Sequence, residues 1–435
     1  MGGIVCKFGG SSLADADQIR KALDIVQSSE DRRFIVPSAP GKRNPDDTKV
    51  TDLLLLCHQL AQQRVDVSET FSHIRHRFVG LSEALGADLD MDALLDRLKS
   101  DIEQGASLDF VASRGEHLNG RVVAATLGAT FIEPAEVIRF TPSGAIDDET
   151  YDLIASKVED AVRYVIPGFY GSTSEGEIRT FSRGGSDITG AVVAKAVSAT
   201  VYENWTDVSG MLMADPRVVP GAKPVHEITY REIRELAYMG ASVFHDEAMF
   251  PVRDAGIPVN IRNTNSPDDP GTRIVPEREL TDQVLVGVAG RPNFSMLFIE
   301  KALMNQTKGF GRRVLDVIAE HDISYEHSPS GIDTMSVIIS DEELGEKGEA
   351  LVDSIRDVLQ PDRVTLIPGL ALIATVGEGM SHRVGIAARL FTALANAKVN
   401  VRVIDQGASE INIIVGVEAA DFERAVNAIY STFES

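Results

Sequence analysis

Short apolar runs alternate with amphipathic helical patterns from the first residues to about position 278, and this alternation constrains the fold most. The candidate strands are 3–6, 34–36, 130–132, 161–166, 200–203 and 259–261. Strands separated by helices pair most readily in parallel, with the crossover helices covering both faces of one sheet. Residues 58–110 differ, being polar and rich in Gln, Arg, His and Asp, and read as an all-helical elaboration. The breaker cluster from Asn265 to Gly271, followed by the charged 276–279 run, ends this first region, so a domain of 1–278 is expected.

Two strand-to-helix turns in this region carry both glycines and cations. Lys7-Phe-Gly9-Gly10-Ser11-Ser12 follows the first strand, and Arg183-Gly184-Gly185-Ser186-Asp187 precedes the helical run at 188–199. Glycines let backbone N–H groups approach an anion closely, a helix N-terminus favours negative charge, and Lys7 adds a full positive charge. A structural turn has no need of the cations. Two such turns suit a polyphosphate ringed by donors, although the Walker pattern G-x-x-x-x-G-K-[ST] is absent from the sequence.

The charge balance sharpens this reading. With 65 acidic and 42 basic side chains among 435 residues, the formal net charge is −23, which argues against nucleic-acid or anionic-membrane binding. A chain this acidic repels anions at long range, so an anion-handling site has to gather cations locally. No apolar run reaches membrane-spanning length, and the N-terminus enters a strand without a charged leader, so a cytoplasmic location is the default expectation. Cys6 and Cys57 are too few for a disulfide framework or a cysteine metal site.

Beyond the boundary a β-α-β-β-α pattern occurs twice, at 294–359 and again from 371. A strand at 363–367 closes the first unit, whereas the sequence ends before any strand closes the second. The early strand 284–288 is therefore expected to pair into the late unit, giving interleaved modules of 283–368 and 369–435.

Lys7-Phe-Gly-Gly-Ser-Ser, Ser38-Ala-Pro-Gly, Arg114-Gly-Glu116, Gly168-Phe169, Arg183-Gly-Gly-Ser-Asp187, Trp205-Thr-Asp207 and Asp215-Pro-Arg217 together resemble the aspartate kinases in order and approximate spacing. The twin C-terminal units resemble ACT domains. The resemblance implies an amino-acid-kinase fold, a three-layer α/β/α sandwich with a mainly parallel sheet, followed by two α+β ferredoxin-like ACT modules. It implies phosphorylation of the β-carboxylate of L-aspartate by ATP, with Mg²⁺ carried by the nucleotide, giving 4-phospho-L-aspartate at the head of lysine, threonine and methionine biosynthesis.

A carboxylate attacking a phosphoryl group needs charge neutralisation and in-line positioning rather than a strong base. Lys7 is the expected stabiliser of the transferring group, with Gly9, Gly10 and Ser11 at the phosphates and Asp187 orienting the ammonium. Asp187 can equally serve as a helix N-cap. Glu116 suits the substrate ammonium and Arg183 its α-carboxylate in bidentate fashion. The resemblance adds Ser38, Thr51, Phe169 and Ser186 as substrate contacts, with Thr48 competing for the place of Thr51. It puts the nucleotide over Thr206 and Asp207, with Arg217 reaching the phosphates. Leu212 and Ser242 stand where many relatives place a tyrosine and a lysine.

ACT modules imply an amino-acid effector, lysine and/or threonine, near Met304, Thr307, Gly309 and Phe310 and against Ser324, Tyr325 and Glu326, with Glu326 meeting an effector ammonium. They also imply a homodimer or larger homo-oligomer. His73 and His76, beside Arg75 and Arg77, read as a solvated basic helix face rather than a metal site. Trp205 reads as a packing residue and the run from Asp341 as a charged helix start. Two other readings compete: a glutamate or N-acetylglutamate kinase sharing the phosphate turns, and a non-catalytic amino-acid sensor.

Overall fold

The computed structural model describes residues 2–182, 184–241, 248–279 and 284–434. These fall into two compact units. The first takes 2–211, 224–230 and 248–278, and the second takes 212–223, 231–241 and the C-terminal part from 284 on. Two short stretches ahead of residue 278 thus belong with the C-terminal half. Arg217 is in one of them.

The first unit is built on an eight-stranded sheet. Its strands are β1 (Ile4–Phe8), β2 (Arg32–Pro37), β3 (Thr130–Phe131), β4 (Tyr164–Val165), β5 (Val201–Thr206), β6 (Glu227–Thr229), β7 (Val259–Asn263) and β8 (Thr272–Val275). They lie in the order β6-β8-β7-β5-β1-β2-β4-β3, parallel at every pairing except β7 with β8. This is the mainly parallel sheet that the strand–helix alternation dictates. Side chains alternate between faces along a strand. In β1 that sends Cys6 and Phe8 into the apolar core beneath α1 (Ala16–Gln27), α2 (Val50–Gln62), α3 (Ser68–Leu85), α4 (Met91–Glu103) and α5 (Leu108–Leu127). Lys7 is sent to the opposite face, toward α6 (Gly185–Ala196). Each fully buried side chain such as Phe8, Phe71 or Phe78 stabilises the core by about 1.5–3 kcal/mol.

The helical elaboration expected at 58–110 is the middle of a four-helix run, α2 to α5, extending from Val50 to Leu127. Its basic face is only partly solvated. Arg75 is partly exposed and pairs with Asp92 and Asp96, but Arg77 is buried and pairs with Asp47. The first glycine turn also differs from expectation. It opens a single 3-10 turn, Ser11–Leu13, while α1 starts later behind its own N-cap, Asp15, whose carboxylate accepts from the Gln18 N–H at 2.9 Å.

The second unit carries a five-stranded antiparallel sheet in the order β10-β9-β11-β13-β12, from β9 (Gly287–Glu300), β10 (Thr334–Ser340), β11 (Arg363–Val376), β12 (Val401–Asp405) and β13 (Asn412–Glu418). Helices α7 (Phe310–Glu320), α8 (Gly348–Leu359), α9 (Ile386–Asn396) and α10 (Phe422–Glu434) take the helical places of the two repeats. The pairing of the early strand is direct: Gly287 to Arg291 lie opposite Val376 to Leu372, and the Val286 N–H donates to the Val376 carbonyl at 2.8 Å. Sequence reading separates 284–288 from 294–299 and 363–367 from 371–376, but 287–300 and 363–376 are each one continuous strand. Pro292-Asn293, with Asn293 at φ 73°, and Pro368-Gly369, with Gly369 at φ 82°, act as irregularities within the ladder rather than as loops. In the first repeat the second strand of the β-α-β-β-α pattern, read from the sequence at 324–326, does not form. Pro329 and Gly331 follow it, and only isolated bridges at His327 and Ser330 remain.

Candidate active site

Parallel register brings the polar residues of β1 and β5 together. Lys7 lies opposite Asn204, Cys6 opposite Glu203 and Phe8 opposite Trp205. On the α6 face, Lys7 Nζ is 2.6 Å from Asp187 Oδ1 and 3.4 Å from Asn204 Oδ1, and Asn204 Nδ2 donates to the same Asp187 oxygen at 3.0 Å. Lys7 is largely buried, so its charge acts in a medium less screening than water. The second glycine turn therefore delivers a carboxylate directly onto the lysine of the first. Asp187 does not cap its own helix; Gly184, at φ 59°, occupies that position without a side-chain cap. Arg183 is outside the described residues.

The opposite face of these strands is structural. Glu203 accepts from Arg32 Nε and Nη2 at 2.8 and 3.0 Å and from the Trp205 indole N–H at 3.0 Å. Trp205, fully buried, stacks on Phe8 and takes Arg32 and Arg262 over its ring, the packing role expected of it.

The turn at 9–10 is pressed against the segment that follows β2. The Gly41 N–H donates to the Gly10 carbonyl at 2.8 Å, and a Cβ on Gly41 would stand 2.5 Å from the Gly10 backbone. Ser38 is tied in from two sides, its N–H donating to the Phe8 carbonyl at 3.1 Å and its carbonyl accepting from Asn119 Nδ2 at 2.7 Å. Glu116, on α5 as is Asn119, accepts from the backbone of Ala39. It is buried, and burial pushes its carboxyl up to about 7 against the counter-effects of that hydrogen bond and of Arg114. Its Oε2 is buried without a hydrogen-bond partner. Such a carboxyl suits a cationic ligand, whose arrival restores its charged form.

Phe169 and Ser186 are adjacent. Phe169 holds a left-handed backbone at φ 83°, its N–H donating to Thr189 Oγ1 at 3.1 Å. A Cβ on Gly168 would fall 2.5 Å from Ser186 Oγ, and one on Gly185 would fall 2.6 Å from the Phe169 ring. This close approach locks the start of α6, and with it Asp187. A non-glycine residue held at positive φ is a feature that clusters at functional sites. Thr51 lies in the first turn of α2 and is half-buried, while Thr48, exposed just before that helix, lines a separate cavity of about 390 Å³ with Arg43, Asp47, His73 and Arg77. Thr206 ends β5, its Oγ1 donating to Asp207 Oδ1 at 3.2 Å, with Asp207 exposed.

In the second unit Arg217 is exposed and forked onto Asp215, with Nη2 to Oδ2 at 2.6 Å. Leu212 is partly exposed, and Ser242 is outside the described residues. Met304 and Phe310 are buried, Thr307 follows a short 3-10 turn, and Gly309 at φ 73° starts α7. The Ser324 N–H donates to Glu343 Oε2 at 3.2 Å, and Tyr325 is exposed. Glu326 is not a solvated edge carboxylate. Its side chain is about 10% exposed, pairs with Arg291 at 3.0 Å and faces the Tyr238 hydroxyl, which burial and then Glu326 push up to about 12.

Sequence reasoning missed Asn204 and Arg77. An asparagine in an apolar strand carries no signal until register sets it beside Lys7, and Arg77 looks like one more surface cation.

The amino acid kinase family model matches residues 3–263, and an ACT domain model matches 373–433. Aspartokinase 3 of Bacillus subtilis is 40% identical, across 99% of this chain and 98% of its own length. The crystal structure of Clostridium acetobutylicum aspartate kinase is similar at a TM-score of 0.96 and 49% identity, covering 99% of this chain and all of that one. Escherichia coli aspartokinase III in complex with aspartate and ADP reaches a TM-score of 0.75 at 27% identity with full coverage of both chains. With its mainly parallel sheet, its paired glycine turns and these full-length likenesses, the chain belongs to the aspartokinases of the amino acid kinase family.

Proposed function

We propose that this protein transfers the terminal phosphoryl group of ATP to the β-carboxylate of L-aspartate, giving 4-phospho-L-aspartate. The observation that carries the reading is the buried Lys7–Asp187 pair between two glycine turns, in a chain that is aspartokinase-like over its whole length. Both reactants are anionic, so the barrier is lowered by fixed positive charge and by alignment. Lys7 meets the charge that develops on the transferring group, and Asp187 and Asn204 hold its ammonium extended. The N–H groups at Gly9, Gly10 and Ser11 contact the phosphates. Glu116 takes the substrate ammonium and Arg183 its α-carboxylate, with Ser38, Thr51, Phe169 and Ser186 around them. Thr206, Asp207 and Arg217 serve the nucleotide. Mg²⁺ brought by the nucleotide would supply further neutralisation of phosphate charge, while the Asp187 carboxylate is held by Lys7 and Asn204.

The catalytic domain in this reading is 1–278, followed by ACT modules at 283–368 and 369–435, and the protein acts in the cytoplasm as a homodimer or larger homo-oligomer. Among the described residues, no helix is long and apolar enough to cross a membrane. Lysine is the preferred effector, threonine the second; E. coli aspartokinase III has been solved with lysine and aspartate, at 27% identity and a TM-score of 0.77. The reaction is tested by ATP consumption with hydroxylamine trapping of the acyl phosphate, comparing aspartate, glutamate and N-acetylglutamate. Trapping with aspartate alone is expected, and absence of turnover with all three would leave an amino-acid sensor.

A further inference from the structure

Arg77 lies on α3, between Ile74 and Phe78, both of which are fully buried. Taking a guanidinium out of water is costly unless its donors are met, so its partners are informative. All of them lie outside its own helix. Nη1 donates to Asp47 Oδ2 at 2.8 Å, and Nη2 donates to the carbonyl of Ala14 at 2.6 Å and to that of Gly41. Ala14 follows the first glycine turn. Gly41 and Asp47 belong to the segment joining β2 to α2, which carries Ser38 and Ala39 at one end and leads to Thr51 at the other. One side chain therefore fastens the phosphate turn to the segment that backs Glu116 and Ser38.

The clamp is reinforced around Asp47. Arg43 donates to its two oxygens through Nε and Nη2, each at 2.9 Å, and through its backbone N–H at 3.0 Å. These contacts, together with Arg77, hold the Asp47 carboxyl far below the usual carboxylate range, so it stays ionised at any working pH. The surfaces being held are closely packed: a Cβ on Gly41 would stand 2.5 Å from the Gly10 backbone, and one on Gly10 would stand 3.2 Å from the Ala39 carbonyl oxygen.

We propose that Arg77, acting through Asp47 and the Gly41 carbonyl, is a positioning residue that sets the distance between the aspartate-binding segment and the phosphate turn. The proposal rests on the aspartokinase reading. In-line transfer between two anions depends on separation, and a displacement of about 1 Å costs on the order of 100-fold in rate. A lysine carries the same charge but not the planar fork that reaches three acceptors at fixed angles.

The test uses the full-length protein at a temperature where each variant is folded, with Arg77→Lys, Arg77→Ala, Asp47→Asn and the double variant. The expected outcome is a fall of about tenfold or more in kcat/KM for aspartate, with KM for ATP moving by less than about threefold. The double variant should lose no more than the worse single one, because both break the same clamp. Free guanidinium ion at millimolar concentration should restore part of the activity of Arg77→Ala and none to Arg77→Lys. Amide hydrogen exchange at 38–47 should quicken in the unliganded variants while that of the β5 strand does not. The proposal is overturned if folded Arg77→Lys or Asp47→Asn keeps wild-type kinetics and exchange, or if both KM values rise together in step with lost folded protein. Where Arg77→Ala does not fold, Asp47→Asn and Arg77→Lys decide. Wild-type protein that fails to turn over aspartate would refute the aspartokinase reading, and the exchange measurement would still report on the clamp.

Discussion

Lys7 Nζ stands 2.6 Å from Asp187 Oδ1, on the face of the sheet covered by α6, although the two lie 180 positions apart in sequence. The contact gives the buried ammonium a fixed direction before any ligand arrives.

Replacing Lys7 by Ala should therefore lower kcat by about 10²–10³-fold, the size expected when one preorganised donor to a developing charge is removed. Asp187 keeps Asn204 as a partner, so the far-UV circular dichroism spectrum should be unchanged. A kcat within tenfold of wild type in a folded Lys7→Ala protein would contradict the assigned role.

Glu116 gives a pH signature. Burial raises its carboxyl from the ordinary glutamate value near 4.5 to about 7, so the folded state holds a proton that the unfolded chain has released between those values. Its contribution to stability is fully present below pH 4.5 and is lost as pH rises through about 7, amounting to on the order of 3 kcal/mol. Aspartate binding needs the ionised form, so KM for aspartate should fall between pH 6 and 8. Glu116→Gln should flatten that profile, raise KM and be more stable than wild type at pH 8 in urea unfolding.

Glu133 has the opposite sign. Burial alone would raise its carboxyl, but His117 Nδ1 at 3.0 Å and the Tyr170 hydroxyl at 2.7 Å override it and bring it down to about 2. Burial lowers His117 itself, so at neutral pH it acts on Glu133 chiefly as a neutral N–H donor. The stability Glu133 contributes is present above pH 4.5 and is lost as pH falls toward 2, on the order of 3 kcal/mol in all. Urea midpoints of Glu133→Gln should show a shallower decline than wild type across that window.

Gly168→Ala places a Cβ 2.7 Å from the Ser186 Cα, a backbone atom that cannot swing aside. The start of α6 must shift, taking Asp187 with it. Thermal denaturation should show a loss of about 1–3 kcal/mol, and kcat should fall with it. Activity left intact would mean that Asp187 does not need the fixed position ascribed to it.

Glu326 tests the effector reading. Arg291 already neutralises it, so an incoming lysine ammonium has to share or displace that partner. Lysine should inhibit the wild-type enzyme, Glu326→Gln should weaken the inhibition by about tenfold or more, and the rate without effector should be nearly unchanged. Inhibition by threonine alone would place the ammonium-binding group elsewhere.

The parallel sheet could be read from the alternation of strands and helices because periodicity depends only on local side-chain pattern. Lys7 and Asp187 are legible because the two glycine turns stand out in a plain sequence, whereas Glu116, by itself an ordinary helix carboxylate, is legible only through the resemblance carried by Arg114-Gly-Glu116. Asn204 was not, since its meaning comes from lying opposite Lys7. Arg77 was misread because burial is not written in residue type; its histidine and arginine neighbours suggested a wet surface. The two long strands of the second unit were divided in sequence because Pro292-Asn293 and Pro368-Gly369 have loop-like composition, and only cross-strand pairing carries the ladder through them.

That continuity bears on how amino-acid binding would be felt. β9 and β11 each run through both βαββα repeats, so the repeats are joined by paired backbone rather than by a tether. A twist imposed on one repeat reaches the other along these two paired strands, through the irregularities at Pro292-Asn293 and Pro368-Gly369. Two different effectors, one at each end, would then act on a single mechanical element, and their effects would combine as one torque rather than as two independent switches.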